Sequence, residues 1–221
     1  MSLLGLKNEA IEWLLKMSAP SKLKFMLKAV VIGDGMVGKT SLCNRFMKKG
    51  FTHEYKRTIG ADYYMYDQEL ALEDYGVSLQ VKWILCDLAG QFAYYEVRPL
   101  FYFGAKAALV VFDISRPETF KSIPAWIYEF WKYASKKELS KRPIVIVGNK
   151  SDLRDKVENT VSRETAEGYA QKIAKSVGFE VPYIETSALL GHGVDEAFKK
   201  LLRVVIRHYG VLDKFKKLPL M

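Results

Sequence analysis

A chain of 221 residues, 49% apolar and 27% charged, has the size and composition of one globular domain with extensions, which excludes disordered and collagen-like classes. No apolar run reaches the roughly 20 residues of a membrane-spanning helix, and the two cysteines, Cys43 and Cys86, offer neither a metal spacing nor a disulfide framework, as suits a reducing compartment. The net charge of +9 sits at the ends, residues 1–28 carrying five Lys against two acids and residues 196–221 seven Lys or Arg against two, so the nearly neutral body lacks the basic stripe of a nucleic-acid-binding domain.

Residues 3–17 form the first predicted element, an amphipathic helix with Leu3, Leu4, Leu6, Ile11, Trp13, Leu14, Leu15 and Met17 on a wide apolar face and Glu9, Glu12 and Lys16 opposite. No basic region precedes it, which argues against a secretory signal. Phe25–Ile32 reads as a strand, followed by a glycine-rich turn and a helix from Lys39 to about Lys49. Tyr63–Leu72 and Leu79–Asp87 flank the turn-like Glu73-Asp74-Tyr75-Gly76 and predict a hairpin. Ala107–Asp113, Pro143–Gly148 and Val181–Glu185 are short apolar runs of the kind that buried parallel strands show. Helical patterns lie between and after them at Ile123–Ala134, Arg163–Val177 and Val194–Tyr209, the last with Val194, Ala197, Phe198, Leu201, Leu202 and Val205 on one face. This alternation predicts a doubly wound α/β sheet, with the hairpin adding one antiparallel strand at an edge. Ligands of such sheets sit beyond the carboxyl ends of the strands, and each motif below follows a predicted strand.

Gly33-Asp34-Gly35-Met36-Val37-Gly38-Lys39-Thr40 matches G-x-x-x-x-G-K-[ST] between a strand and a helix. Its glycines let backbone N–H groups turn inward on phosphate oxygens at a helix N-terminus. Lys39 is placed to reach the β- and γ-phosphates, the Thr40 hydroxyl to ligate Mg²⁺, and Ser41 completes the loop. Taken alone this motif names a phosphate site, with ATP as admissible as GTP. Asp87-Leu88-Ala89-Gly90-Gln91 ends the hairpin. There Asp87 can hold Mg²⁺, Gly90 can donate its N–H to the γ-phosphate, and Gln91 can orient an attacking water. Thr58, in the polar loop Tyr55-Lys56-Arg57-Thr58-Ile59-Gly60, can add a second hydroxyl to the metal. Phe51 is a loop aromatic fit to stack on a base. In Asn149-Lys150-Ser151-Asp152 the Asp152 carboxylate can accept both the N1–H and the N2 amine of guanine, which adenine does not offer. Glu185-Thr186-Ser187-Ala188-Leu189 would present the Ala188 N–H to the guanine O6.

With these boxes in this order, residues 25–210 resemble a small GTPase of the Ras superfamily, most similar to its Rab and Ras branches. Tyr55-x-x-Thr58-Ile59-Gly60-Ala61-Asp62, Ala89-Gly90-Gln91 and Phe103-Gly104-Ala105 carry the branch likeness. The resemblance implies a three-layer P-loop GTPase domain, with a six-stranded sheet flanked by five helices. It also implies GDP and GTP states, two switches near 50–62 and 88–103, and hydrolysis of GTP with Mg²⁺ by Lys39, Thr58 and Gln91. The implied nucleotide set is residues 33–41, Phe51, Tyr55, Thr58, Asp87, Gly90, Asn149, Lys150, Asp152, Ser187, Ala188 and Leu189, with Thr40, Thr58 and Asp87 at the metal. An exchange factor, an activating protein and an effector are the implied partners, in membrane trafficking or signalling. No arginine is evident in cis near the site, which predicts slow intrinsic turnover. A binding module with vestigial hydrolysis is the alternative, and an RNA-associated GTPase fits the neutral body poorly.

Three departures touch subfamily and partners, not nucleotide chemistry: Phe92 where Rab proteins usually carry Glu, Cys86 in place of Trp, and Leu189 in place of Lys. The sequence as read ends without a cysteine and has Ser at position 2, so prenylation and N-myristoylation are not expected. This divides the chain into an N-terminal extension (1–24), the GTPase domain and a basic tail (211–221), in the cytoplasm. Residues 3–17 then dock on the domain, on a membrane as a peripheral contact, or on a partner; their polar face is not Lys-rich, which disfavours the membrane.

Overall fold

Val30, Val31 and Ile32 have side chains with no solvent exposure at all, which puts the strand that carries them at the centre of the molecule. This strand, β1 (Lys22–Ile32), lies between β3 (Val77–Leu88) and β4 (Ala107–Asp113), parallel to both. The computed structural model describes residues 22–48, 58–72, 77–135 and 141–211. Residues 3–17, Phe51, Tyr55 and the tail beyond Val211 lie outside the described residues, as does the 73–76 turn.

The sheet has six strands in the order β2-β3-β1-β4-β5-β6, with β2 (Ala61–Leu72) at one edge, then β5 (Ile144–Asn149) and β6 (Tyr183–Glu185) at the other. All pairings are parallel except β2 with β3, which run antiparallel from Ala61 opposite Leu88 to Leu72 opposite Val77. Pattern and position agree. β4 and β5 are buried along their whole length, because helices cover both faces. Edge strand β2 alternates, with Tyr64, Tyr66, Gln68 and Leu70 turned inward and Tyr63, Met65, Asp67 and Glu69 exposed.

Side chains of β1 alternate between two apolar layers. Leu27, Ala29 and Val31 join Trp83, Leu85 and the helices α1 (Lys39–Phe46) and α6 (Val194–His208). Val30 and Ile32 join Val110 and Phe112 on the other face. That face is covered by α2 (Arg98–Tyr102), α3 (Pro117–Lys121), α4 (Ile123–Tyr133) and α5 (Arg163–Val177). Since α3 and α4 abut across Ser122, five helical segments flank the sheet, giving the expected three-layer α/β architecture.

The ends of the helices have local causes. Ser162 Oγ accepts from Thr165 N at 3.2 Å to start α5, and Gly178, at φ 78°, stops it. Asp195 and Glu196 in the first turn of α6, with Arg207 in the last, oppose its dipole. Some expected boundaries shift. The helix predicted to Lys49 ends at Phe46, because Lys48 turns to φ 58°. The helix expected over 123–134 is preceded by the separate turn α3. Pro124, lacking an N–H for Phe120 O, separates the two. β1 begins three residues earlier than predicted and β6 two residues later. Val211, read as tail, is buried against the core.

Candidate nucleotide-binding site

The loop from Gly33 to Gly38 joins β1 to α1, and its conformation depends on the absence of side chains. Gly33 has φ 140°, and a Cβ there would come 2.0 Å from Val111 O. At Gly38, φ 96°, a Cβ would meet Asn149 Nδ2 at 2.3 Å. Both positions exclude any other residue. Lys39, the first residue of α1, is buried and folds back over the loop, its Nζ donating to Gly33 O at 2.8 Å and Asp34 O at 2.7 Å. Burial lowers its pKa to about 8, with Asp87 and Asp34 opposing the shift. A buried ammonium so disfavoured gains from an anion placed beside it. Met36, at φ 64°, is exposed, whereas Val37 is fully buried and Ser41 half-buried.

The end of β3 sits beside this loop. Asp87 is fully buried; its Oδ2 accepts a short hydrogen bond from Thr40 Oγ1, which lies 3.1 Å from Thr58 Oγ1, while Oδ1 has no hydrogen-bond partner among the described residues. Burial pushes its pKa up to about 6, against the lowering effect of Thr40 and Lys39. Gly90 lies so close to the loop that a Cβ would be 2.4 Å from Asp34 C. Beyond it, Gln91 Cγ is 3.8 Å from where a Gly35 Cβ would stand, so the Gln91 side chain lies over the loop.

The ends of β5 and β6 close the other side. Asn149 is buried and ties three segments together. Its Nδ2 donates to Val37 O at 2.8 Å, and its Oδ1 accepts from Thr186 Oγ1 at 3.0 Å and Ala188 N at 3.2 Å. Asp152 Oδ1 accepts from Ser187 Oγ at 2.5 Å. Lys150, at φ 65°, pairs its Nζ with Asp113 Oδ2 at 2.7 Å. Arg45 of α1 donates to Ala188 O at 2.9 Å and to Leu189 O, holding the β6 loop against α1.

Of the expected site residues that are described, Lys39, Thr40, Thr58, Asp87, Gly90 and Gln91 come together at the loop, and Asn149, Asp152, Ser187 and Ala188 at its far side. The fold also contributes residues the motifs do not contain. Arg116 Nη2 donates to Gly35 O at 2.9 Å and its Nε pairs with Asp113 at 3.1 Å, while Trp126 Nε1 donates to Asp34 Oδ1 at 2.7 Å. Arg98 Nη2 donates to Gln91 O at 2.8 Å. Two arginines therefore stand near the site in cis, Arg98 on Gln91 and Arg116 on the glycine loop, where the sequence led us to expect none. The signal for Asp113 is in the sequence, as a carboxylate ending an otherwise apolar strand; Arg98, Arg116 and Trp126 have no local signal.

The residues fit a divalent cation and a nucleotide. Two hydroxyls and a carboxylate with one uncommitted buried oxygen form an all-oxygen donor set of the kind Mg²⁺ takes. The glycine loop and Lys39 form an anion cradle beside it. Fold and site together define a P-loop nucleotide-binding domain of the α/β class. A family model described as the Ras family matches residues 28–207. Similar proteins include the Ras-related protein RABG3f of Arabidopsis thaliana, 35% identical over 85% of this chain and 86% of that protein. The Ras-related protein Rab-7a of Dictyostelium discoideum is also 35% identical, with the same coverage, and the Ras-related protein Rab7 of Drosophila melanogaster is 37% identical over 81% of this chain and 80% of its own length. The chain belongs to the Ras family of small GTPases, on its Rab branch.

Proposed function

We propose that this GTPase is a magnesium-dependent guanine-nucleotide switch that hydrolyses GTP, with its chemistry carried by Lys39, Thr40, Thr58, Asp87 and Gln91. The convergence of Asp87, Thr40 and Thr58 beside the Lys39 cradle is the observation that supports it most. Thr40, Thr58 and Asp87 would hold Mg²⁺, Asp87 directly or through water. When bound, the ion withdraws charge from the phosphate oxygens. Lys39 exchanges its carbonyl contacts for phosphate oxygens and stabilises the charge that develops as water attacks the γ-phosphorus in line. Gln91, lying over Gly35, orients that water, and the Gly90 N–H meets the γ-phosphate. Asp152 reads the base, with Ser187 fixing one of its oxygens, and Asn149 joins this base side to the phosphate loop. Ala188 N serves the base only by sharing or exchanging its bond to Asn149. Residues 25–210 act as the nucleotide-dependent unit toward exchange factor, activating protein and effector, in the trafficking or signalling setting that the Rab names of its relatives suggest.

Asp152→Asn tests base reading, because it replaces an acceptor by an amide that opposes guanine N1–H with a donor. Guanine affinity should fall severely, toward the roughly 10⁴-fold scale of a site whose hydrogen bond is lost, and xanthine, with oxygen at C2, should be tolerated better. Parent-like GDP affinity in the variant would remove Asp152 from this role. Gln91→Leu should keep GTP binding and lose most single-turnover hydrolysis. Unchanged turnover would leave Gln91 without the role given to it and favour a binding module.

A further inference from the structure

Arginine is seldom buried unless its donors are engaged, and Arg98 is buried at the start of α2. Nη1 donates to Glu129 Oε2 at 3.1 Å, Nη2 donates to Gln91 O at 2.8 Å, and Cζ lies 4.2 Å from the centre of the Trp126 ring. Trp126 in turn donates to Asp34 Oδ1, one residue into the glycine loop. The loop, α4, α2 and the backbone of Gln91 are thus linked by consecutive polar and cation–π contacts. A buried ion pair is a weak source of stability compared with apolar side chains of similar volume. If Arg98 and Glu129 served only to pack α2 on α4, an apolar pair would do as well. The guanidinium adds a directional donor to the carbonyl of the residue that orients water, and a planar face on the indole that reaches the loop.

We propose that Arg98, clamped by Glu129 and Trp126, is a positioning residue for GTP hydrolysis that holds the Gln91 backbone in register with the phosphate-binding loop. This inference rests on the role given to Gln91 above. Arg98 does not itself reach the reacting atoms; its guanidinium acts through Gln91 O, and Trp126 makes Asp34 and Gln91 parts of one unit. The assignment predicts that the contacts matter to the hydrolytic step and little to nucleotide affinity, since neither Arg98 nor Glu129 touches the Lys39 cradle or Asp152.

The test replaces Arg98→Met together with Glu129→Gln, so that no charge is left buried alone. Trp126→Phe, which keeps a ring and removes only the donor to Asp34, asks the same question with less disturbance. Hydrolysis in a single turnover and GDP affinity are measured for each, alone and combined with Gln91→Leu. The proposal expects the Arg98 pair variant to lose about 10- to 100-fold in turnover, the range a small misplacement costs. Affinity should stay within about twofold, and combination with Gln91→Leu should give no further loss. Trp126→Phe should show a smaller loss with the same selectivity. Parent-like turnover in both variants, a parallel fall in affinity, or losses that multiply with Gln91→Leu would each overturn it. If Gln91→Leu hydrolyses GTP like the parent, the reading of Gln91 fails and this inference falls with it. If Gln91→Leu is inactive while the Arg98 and Trp126 variants are unaffected, this inference alone falls.

Discussion

Asp113 ends β4 with its carboxylate almost wholly buried, and three partners account for its tolerance there. Lys150 pairs at 2.7 Å and Arg116 at 3.1 Å, while Ser115 donates both its hydroxyl, at 2.6 Å, and its backbone N–H, at 3.0 Å, to Oδ1. Burial alone would raise the pKa, but the hydrogen bonds from Lys150 and Ser115 outweigh it and hold the group below its ordinary 3.8. A carboxyl whose folded pKa is depressed binds its proton more weakly in the native state. Its stabilising contribution is therefore complete above pH 3.8 and is lost as the pH falls through the lower native value. Urea unfolding of the parent and of Asp113→Asn should show the parent more stable at pH 7, with the gap narrowing only as the pH falls below 3.8. A gap unchanged down to pH 3 would mean that the carboxylate's charge does not stabilise the fold. This residue also marks the limit of reading at the residue scale. The expected site residues that gather around the glycine loop are ones whose types and spacing are written locally, in loops between strands and helices. Arg98, Arg116 and Trp126 take their roles from contacts with Gln91, Gly35 and Asp34 made by folding, and no spacing of residues announces such contacts.

Among elements, the clearest in the sequence were those with the longest undisturbed periodicity. β4 and α5 have the predicted limits, and α6 buries Val194, Ala197, Phe198, Leu201, Leu202 and Val205 as its pattern requires. One-turn segments such as α2 and α3 are too short for a period to register, and they depend on prolines at their first turns and on packing. The α6 face carries a specific load of aromatic packing. The Phe198 ring stacks on Phe46 at 3.8 Å, and Trp83 meets both edge-on at 5.8 and 5.5 Å. Trp83 NεH also reaches Gln68 Oε1 at 3.0 Å, so β2, β3, α1 and α6 all share this cluster. Phe198→Ala should cost about 3–5 kcal/mol of unfolding free energy, the usual range for a fully buried Phe. Leu202→Ala, one turn on in the same layer, should cost about 2–5 kcal/mol. Equilibrium unfolding with saturating GDP checks both, and a loss under about 1 kcal/mol for Phe198→Ala would mean the layer closes over the gap.

For the whole molecule the open question is where the charged ends go, since the body between them carries 22 basic against 21 acidic side chains. Among the described residues no helix is long and apolar enough to cross a membrane. Part of the C-terminal charge is engaged within the fold, with Lys200 and Arg207 both paired to Glu180. Lys214, Lys216 and Lys217 are the basic residues of the tail. At about 1 kcal/mol each near an anionic surface they would supply roughly 3 kcal/mol, less than millimolar affinity requires. Residues 3–17 could add more, Leu3, Trp13 and Leu14 contributing about 1.5–3 kcal/mol apiece on burial. That gain is available equally on the protein's own surface, where it demands no Lys-rich polar face, and residues 3–17 do not have one. We therefore expect the protein not to float with anionic liposomes in either nucleotide state, and removal of residues 1–20 to lower its melting temperature with GDP and with a GTP analogue alike. Flotation that appears only with the GTP analogue, and disappears on removing residues 1–20, would instead make this segment a nucleotide-controlled membrane contact.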